Sequence, residues 1–448
     1  MFDIFIKNGV VINSKGVQKQ NIGIQNGIIA YMGKAVKEAD SVIDASGKFV
    51  FPGIIDPHVH FMLGAYGAKT CDDYYHVSRM AAAGGVTSFI DFAIPSSRNV
   101  SLRAQVSRRV KQASVSALDF SFHPQILGWT EKIKKDAEYL IGRGFPTFKI
   151  FMPPTEGWGV TDKEIFGAIK YITARGGAVG FHAEDGKILE DNLSALVKTG
   201  RISPRYFALS GSAEAEEKAV LRVAAIAKKA KGRIYICHVS SGTGLAALVK
   251  SRRSGVDIKA ESCPHYLFLN DSVFKKNNNF LFCCNPVLKK RADNKALFRG
   301  LKKDIGWIGT DHCAFSRMDK ASNKKDFRKI PRGLPGMGMS FPLLFTSSGR
   351  DKKSLMTLAR LMASSPAKNF GLNNKGELFP GRDADLFLTD PVKKHIIRKE
   401  LPYGWSPYEG RKLSGFSDIT IRRGEIIYKK GRLCAKRSSG KLIFRKLI

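Results

Sequence analysis

His58 and His60 stand two residues apart at the end of the apolar run Phe51-Pro-Gly-Ile-Ile-Asp-Pro57. In extended chain, residues two apart point to the same face, so both imidazoles can reach one point in space. A metal site at the carboxyl end of a strand needs that arrangement. Two such histidines alone are more often packing or surface residues, and they become a site only if other segments supply partners. The chain supplies them. Lys149, His182, His238 and Asp311 each lie at or just past the end of an apolar run of strand length. Six polar side chains at the same end of five separate strands are hard to explain as packing, and together they point to a metal centre.

The elements that must position these residues follow from the hydrophobic rhythm. Residues 1–50 alternate short apolar strands with turns at Asn8-Gly9 and Asn26-Gly27, which predicts a small antiparallel sheet. From residue 51 to about 375, buried strands alternate with helical segments, the pattern of parallel βα units. The expected strands are the run before His58 and the runs at 87–92, 120–123, 147–151, 178–182, 233–238, 257–261 and 305–311. Eight strands are what a closed (β/α)8 barrel needs, and barrel active sites lie at the C-terminal strand ends. Between them, the segment from Ser212 to Ala227 reads as an amphipathic helix with an acidic first turn. Strands return after residue 376, at 384–388, 417–422 and 425–428. The expected architecture is therefore α/β: a TIM-like barrel over 51–375, and a small β-sandwich built from 1–50 and 376–433. The basic tail, 434–448, is expected to be loose.

A chain of 448 residues with an apolar share of 43% suits one large domain with an accessory domain. Charges or glycines break every apolar run well short of a membrane span. The first residues read as strand and turn and lack the order of a signal peptide, so cytoplasm is the expected compartment. Seven cysteines, an odd number without C-x-x-C spacing, argue against a disulfide framework. Cys237 and Cys313 adjoin candidate ligands, but neighbours in extended chain face opposite ways, so packing is their expected role. The net charge of +35, from 74 basic against 39 acidic residues, raises the question of a nucleic-acid or anionic-surface partner. The basic residues are spread along the whole chain with no aromatic-interleaved motif, so a basic solvated surface is the preferred reading and nucleic acid is not expected.

The motifs resemble, over nearly the whole chain, the hydantoinase/dihydropyrimidinase branch of the amidohydrolase superfamily. The resemblance rests on Gly53-Ile-Ile-Asp-Pro-His-Val-His60, Asp72-Asp-Tyr with Ala81-Ala-Ala-Gly-Gly-Val-Thr87, and Phe148-Lys-Ile-Phe-Met152. It continues through His182-Ala-Glu-Asp-Gly186, His238-Val-Ser240, Cys263-Pro-His-Tyr-Leu267 and Thr310-Asp-His-Cys313. Further matches are Ile330-Pro-Arg-Gly-Leu-Pro-Gly336, Gly381-Arg-Asp-Ala-Asp-Leu386 and Ser406-Pro-Tyr-Glu-Gly410. The resemblance implies a hydrolase that opens a cyclic amide with a hydroxide shared by two divalent metals, usually zinc. It assigns His58, His60 and Asp311 to one metal and His182 and His238 to the other. Lys149 would bridge both as an N6-carboxylysine, the carbamate formed with carbon dioxide. A lysine ammonium cannot bind a cation, whereas a carbamate presents two anionic oxygens; burial and nearby cations favour the neutral amine that captures carbon dioxide. Asp311 would carry the proton from the nucleophile to the leaving nitrogen. The resemblance also implies a homotetramer or homodimer.

Three positions depart from the branch. A tyrosine expected soon after the bridging lysine, a donor to the developing oxyanion, is replaced by Pro154; Trp158 lies nearby. The branch's substrate-contacting asparagine is Arg332, and a serine that contacts substrate through its backbone is Asn285. An arginine there could meet a substrate carboxylate bidentately or be one more surface charge. The alternatives are a sister activity of allantoinase or dihydroorotase type on a related, even anionic, ring, and a non-enzymatic scaffold. Phe61-Met62 after the histidine pair, where dihydroorotases carry an arginine, count against dihydroorotate. The filled ligand positions count against the scaffold.

Overall fold

The computed structural model describes residues 1–98, 100–153, 159–399 and 402–448. Eight parallel strands form one sheet in chain order: Ile54–Val59, Val86–Ala93, Asp119–Ile126, Thr147–Phe151, Ala178–His182, Arg233–Ile236, Asp257–Ser262 and Trp307–Ile308. A parallel bridge between Val59 and His312, with His60 N donating to His312 O at 2.8 Å, joins the eighth strand segment back to the first. The second and third strands are buried at every position. Strands covered on both faces read as continuous apolar runs, which is why these segments stood out in the sequence.

Amphipathic helices cover the barrel. The helix Asp162–Thr173 starts in a capping box, with Thr161 and Glu164 each satisfying the other's backbone N–H, and it buries Ile165, Ala168, Ile169 and Ile172. The long helix Ala213–Ala230 is capped by Ser212, carries Glu214 and Glu216 in its first turn, and ends on Lys231 in the left-handed conformation. No helix among the described residues is long and apolar enough to cross a membrane.

Both chain ends enter a single nine-stranded sheet. The strand Phe49–Pro52 pairs parallel with Phe2–Asn13 and antiparallel with Leu386–Thr389. This sheet has its own apolar core, including Ile22, Ile24, Val50, Leu386 and Ile421. It is locked to the barrel by an aromatic cluster in which Phe51 stacks on Phe387 at 5.6 Å and meets Phe341 edge-on at 4.8 Å. Each fully buried phenylalanine contributes roughly 1.5–3 kcal/mol, so the cluster holds the sheet firmly on the barrel.

The expectation of a loose tail is overturned. Residues 440–448 run across the N-terminal ends of the barrel strands. Phe120 N donates to Lys441 O, Ile443 N to Phe120 O, Arg445 N to Gly144 O and Ile448 N to Gly176 O, all between 2.8 and 2.9 Å. Arg445 is buried beneath the barrel, bonded to Ser121 Oγ, Thr147 Oγ1 and Phe122 O. Backbone pairing of this kind leaves no side-chain signature, so a tail rich in lysine and arginine can be ordered with nothing in its composition to show it.

Candidate metal centre

The first barrel strand delivers His58 and His60 to the barrel mouth, and the chain after the eighth delivers Asp311. His58 Nε2 and His60 Nε2 lie 3.1 and 3.2 Å from the same oxygen, Asp311 Oδ1. His58 Nε2 is buried yet has no aligned hydrogen-bond partner. Atoms that converge without hydrogen-bond alignment fit a shared positive centre better than a mutual bond. Donor atoms of His58, His60 and Asp311 all fall within 4.8 Å of one another. A second possible grouping, His58 with Cys237 and Glu261, is less suited to a metal because the oxygens of Glu261 are already engaged.

The fifth strand ends at His182, and His238 follows the sixth. His182 Nδ1 and His238 Nε2 face each other at 3.1 Å, and the ring centroids of His58 and His238 are 5.3 Å apart. The two histidine sets therefore share one pocket. Lys149, on the fourth strand and 4% exposed, places Nζ 5.3 Å from the centre of the Phe92 ring, which also packs on His58 and His60. That burial sets the lysine among the candidate ligand side chains.

His238 and Asp311 both adopt positive φ, 39° and 48°. Non-glycine residues held there cost of order 1–3 kcal/mol, a strain concentrated at functional sites. Gly309 makes room: a Cβ there would lie 2.8 Å from His58 Cβ and 3.1 Å from the Glu261 carboxyl.

The electrostatics favour metal binding. Burial pushes His182, His60 and, with the Lys149 charge, His238 below the ordinary imidazole value, so all three are neutral donors at neutral pH. Burial opposes protonation of His58 too, but the Glu261 and Asp311 carboxylates outweigh it and hold its pKa well above the usual value. Burial would raise Asp311, yet His58 and His60 hold it well below the carboxylate range. The pocket thus gathers excess negative charge around His58, which a bound cation would relieve.

The surrounding groups orient these side chains. Glu261 Oε1 is 2.5 Å from His58 Nδ1, while Trp307 Nε1 donates to Glu261 Oε2 at 2.9 Å. Glu184 Oε2 sits 2.8 Å from His182 Nε2. Thr310 donates through N and Oγ1 to Asp56, and His312 Nδ1 accepts from Gly336 N and Met337 N while Nε2 faces Asp72 at 2.7 Å. Glu216 on the long helix accepts from Ser240 and Ser241, fixing the turn after His238. Sequence reading missed Glu261, Asp56, Glu184 and Glu216 as supports; a lone carboxylate at the end of an apolar strand, as at Glu261, was the available signal.

Asn285 and Arg332 are brought together, with Arg332 Nη1 donating to Asn285 Oδ1 at 3.2 Å. Pro154 and Trp158, raised as the oxyanion question, lie outside the described residues. The seven cysteines are all free, and Cys313 turns its thiol to the Arg332 carbonyl.

Residues 49–427 match the amidohydrolase family. The chain is 32% identical over 454 residues to D-phenylhydantoinase of Escherichia coli O1:K1 / APEC, covering 99% of this chain and 98% of the relative. It is 30% identical to D-hydantoinase of Ralstonia pickettii, with 99% of each covered. Among solved structures, the D-hydantoinase (dihydropyrimidinase) from Thermus sp. superposes with a TM-score of 0.95 at 27% identity, covering 99% of both chains.

Proposed function

The chain belongs to the amidohydrolase family, and from that premise we propose that it is a metal-dependent hydrolase of cyclic amides, of hydantoin or dihydropyrimidine type. The observation that carries this reading is the convergence of His58, His60 and Asp311 with His182, His238 and Lys149 in one pocket. In this reading His58, His60 and Asp311 hold one divalent ion and His182 and His238 a second. Lys149, once its neutral amine had added to carbon dioxide and lost a proton, would supply an anionic ligand to the pair. The pair, zinc in our proposal, would acidify a water and polarise the ring carbonyl when bound.

The chain's own residues do the rest. Asp311 is ionised, so it can accept the proton of the attacking water; as a weak base it then releases that proton to the ring nitrogen as the C–N bond breaks. Asn285 and Arg332 face the substrate in this scheme, and we propose a homo-oligomeric enzyme. The test is ring opening by zinc-loaded, bicarbonate-treated protein on hydantoin, 5-substituted hydantoins, dihydrouracil, allantoin and dihydroorotate. Turnover of at least one ring, lost on chelation and restored by zinc, is the expected result. Silence across the panel with two metals bound would sink the reading.

A further inference from the structure

We propose that the ring this enzyme opens carries a carboxylate substituent, held by Arg332 with Lys289 behind it; the inference rests on the cyclic-amide reading and extends it to substrate class.

Arg332 is not a stray surface charge, because its backbone is built into place. Lys320 Nζ donates to Pro331 O at 2.8 Å and to Cys283 O at 2.9 Å, tying its loop to the segment that carries Asn285. Gly333 N donates to the same Cys283 O at 3.0 Å. The guanidinium then lies against two aromatic rings, 5.7 Å from the centre of Tyr66 and 5.3 Å from that of Phe207. Nη1 is spent on Asn285 Oδ1. Nε is buried without a partner, and Arg332 forms no ion pair with a described residue. The Nε–Nη2 edge, on which a carboxylate binds bidentately, is thus left without a hydrogen-bond partner among the described residues.

Lys289 supplies the second charge. It follows Asn285 by four residues, is 7% exposed, and its Nζ has no hydrogen-bond partner. Among the described residues the one carboxylate within ion-pair distance is Glu184, 3.9 Å away, whose other oxygen holds the candidate ligand His182. The Glu216 carboxylate farther off is already engaged by Ser240 and Ser241. The Cys313 thiol, two residues past Asp311, turns to the Arg332 carbonyl at 3.8 Å, and Lys289 meets the carboxylate that holds His182, so the Arg332 loop and the Lys289 ammonium both lie beside the candidate metal ligands. A buried Lys289 facing one engaged carboxylate, and an Arg332 whose Nε is buried without a partner, leave an unmet positive charge, which an anionic ligand would relieve.

The test compares a ring bearing a carboxymethyl substituent with its carboxamide isostere, equal in size and neutral. In the wild-type enzyme kcat/KM for the carboxylate ring should exceed that for the carboxamide by about 10- to 100-fold, the worth of a charge-assisted bidentate contact. Arg332→Gln should collapse that ratio toward one, chiefly through KM, Arg332→Lys should restore part of it, and Lys289→Met should reduce it. A wild-type ratio near one, or a ratio that Arg332→Gln leaves unchanged, would overturn the inference while leaving the hydrolase reading intact. If neither ring opens although both metals are bound, the ring panel above decides the hydrolase reading. Calorimetric binding of the same two rings to wild type and Arg332→Gln then decides the anion site by itself. Preference for the carboxylate, lost in the variant, supports it, and equal binding overturns it.

Discussion

Glu261 Oε1 lies 2.5 Å from Nδ1 of His58, two residues 203 positions apart in the chain. This contact decides which nitrogen of the imidazole is free, because a histidine whose Nδ1 is bound to a carboxylate presents Nε2 to the pocket. The same carboxylate accepts from His238 N and Trp307 Nε1, so one acid orients residues of both proposed metal sets. Glu261→Gln keeps the shape and removes the charge. It should weaken metal retention about 10- to 100-fold, read as zinc content after dialysis against graded chelator. Unchanged zinc content would mean that His58 is held by packing alone.

Lys149 makes the second prediction. As a carbamate it should depend on carbon dioxide as well as on metal. Protein depleted of carbon dioxide should take up less zinc than protein reconstituted with bicarbonate, and intact-mass measurement under mild conditions should show the added mass of one carbon dioxide. Lys149→Ala should lose about 100-fold or more of activity, and a small free carboxylic acid should restore part of it. A Lys149→Ala enzyme with full zinc content and full turnover would exclude a bridging role.

The barrel was legible because its strands are buried on both faces. Runs such as Ala178–His182 carry their burial in plain apolar composition, and polar residues at the ends of such runs are conspicuous. His58, His60, Lys149, His182, His238 and Asp311 stood out for that reason. What positions them did not, since Glu261 on His58 and Glu216 on the turn after His238 depend on contacts between separate segments, and nothing local distinguishes such an acid from a solvated one. The neighbourhood of Arg332 was equally hidden, because an arginine in a basic chain looks alike whether it faces solvent or lies between Tyr66 and Phe207.

Lys320 gives a pH prediction. Burial, with no carboxylate in ion-pair distance among the described residues, pushes its pKa down from 10.5 to about 8. Below pH 8 both folded and unfolded chains carry this proton, and the folded state bears the full cost of the buried charge. Between about pH 8 and 10.5 the unfolded chain binds more protons than the folded one, so stability rises with pH through that window, by up to about 3 kcal/mol. Lys320→Met removes the titration. Thermal unfolding of wild type and variant, compared at about pH 7.5 and about pH 10, should show the wild type gaining on the variant as pH rises. A constant difference would show that Lys320 is solvated.

Arg445 anchors the tail and makes the last prediction. It is buried with no acidic partner among the described residues, and burial pushes its pKa down to about 9. It bonds Thr147 Oγ1, which pairs with His123 Nδ1, whose Nε2 faces Pro57 O next to His58. The tail thus closes the barrel floor and connects, through two side chains, to the strand that carries the first histidines. Arg445→Ala strands the Ser121, Thr147 and Phe122 acceptors and opens a cavity, a loss of about 3–5 kcal/mol. Such a loss in a chain of this size should lower the unfolding temperature by several degrees, of order 2 °C per kcal/mol. Arg445→Lys should recover only part of it, because a single ammonium cannot span the three acceptors that the planar fork reaches. The metal ligands are untouched, so zinc content and turnover at low temperature should stay near wild type, and that separates a floor defect from a site defect. A variant that loses zinc at full thermal stability would mean that the Thr147–His123–Pro57 chain positions His58, and that the floor of the barrel is part of the metal centre.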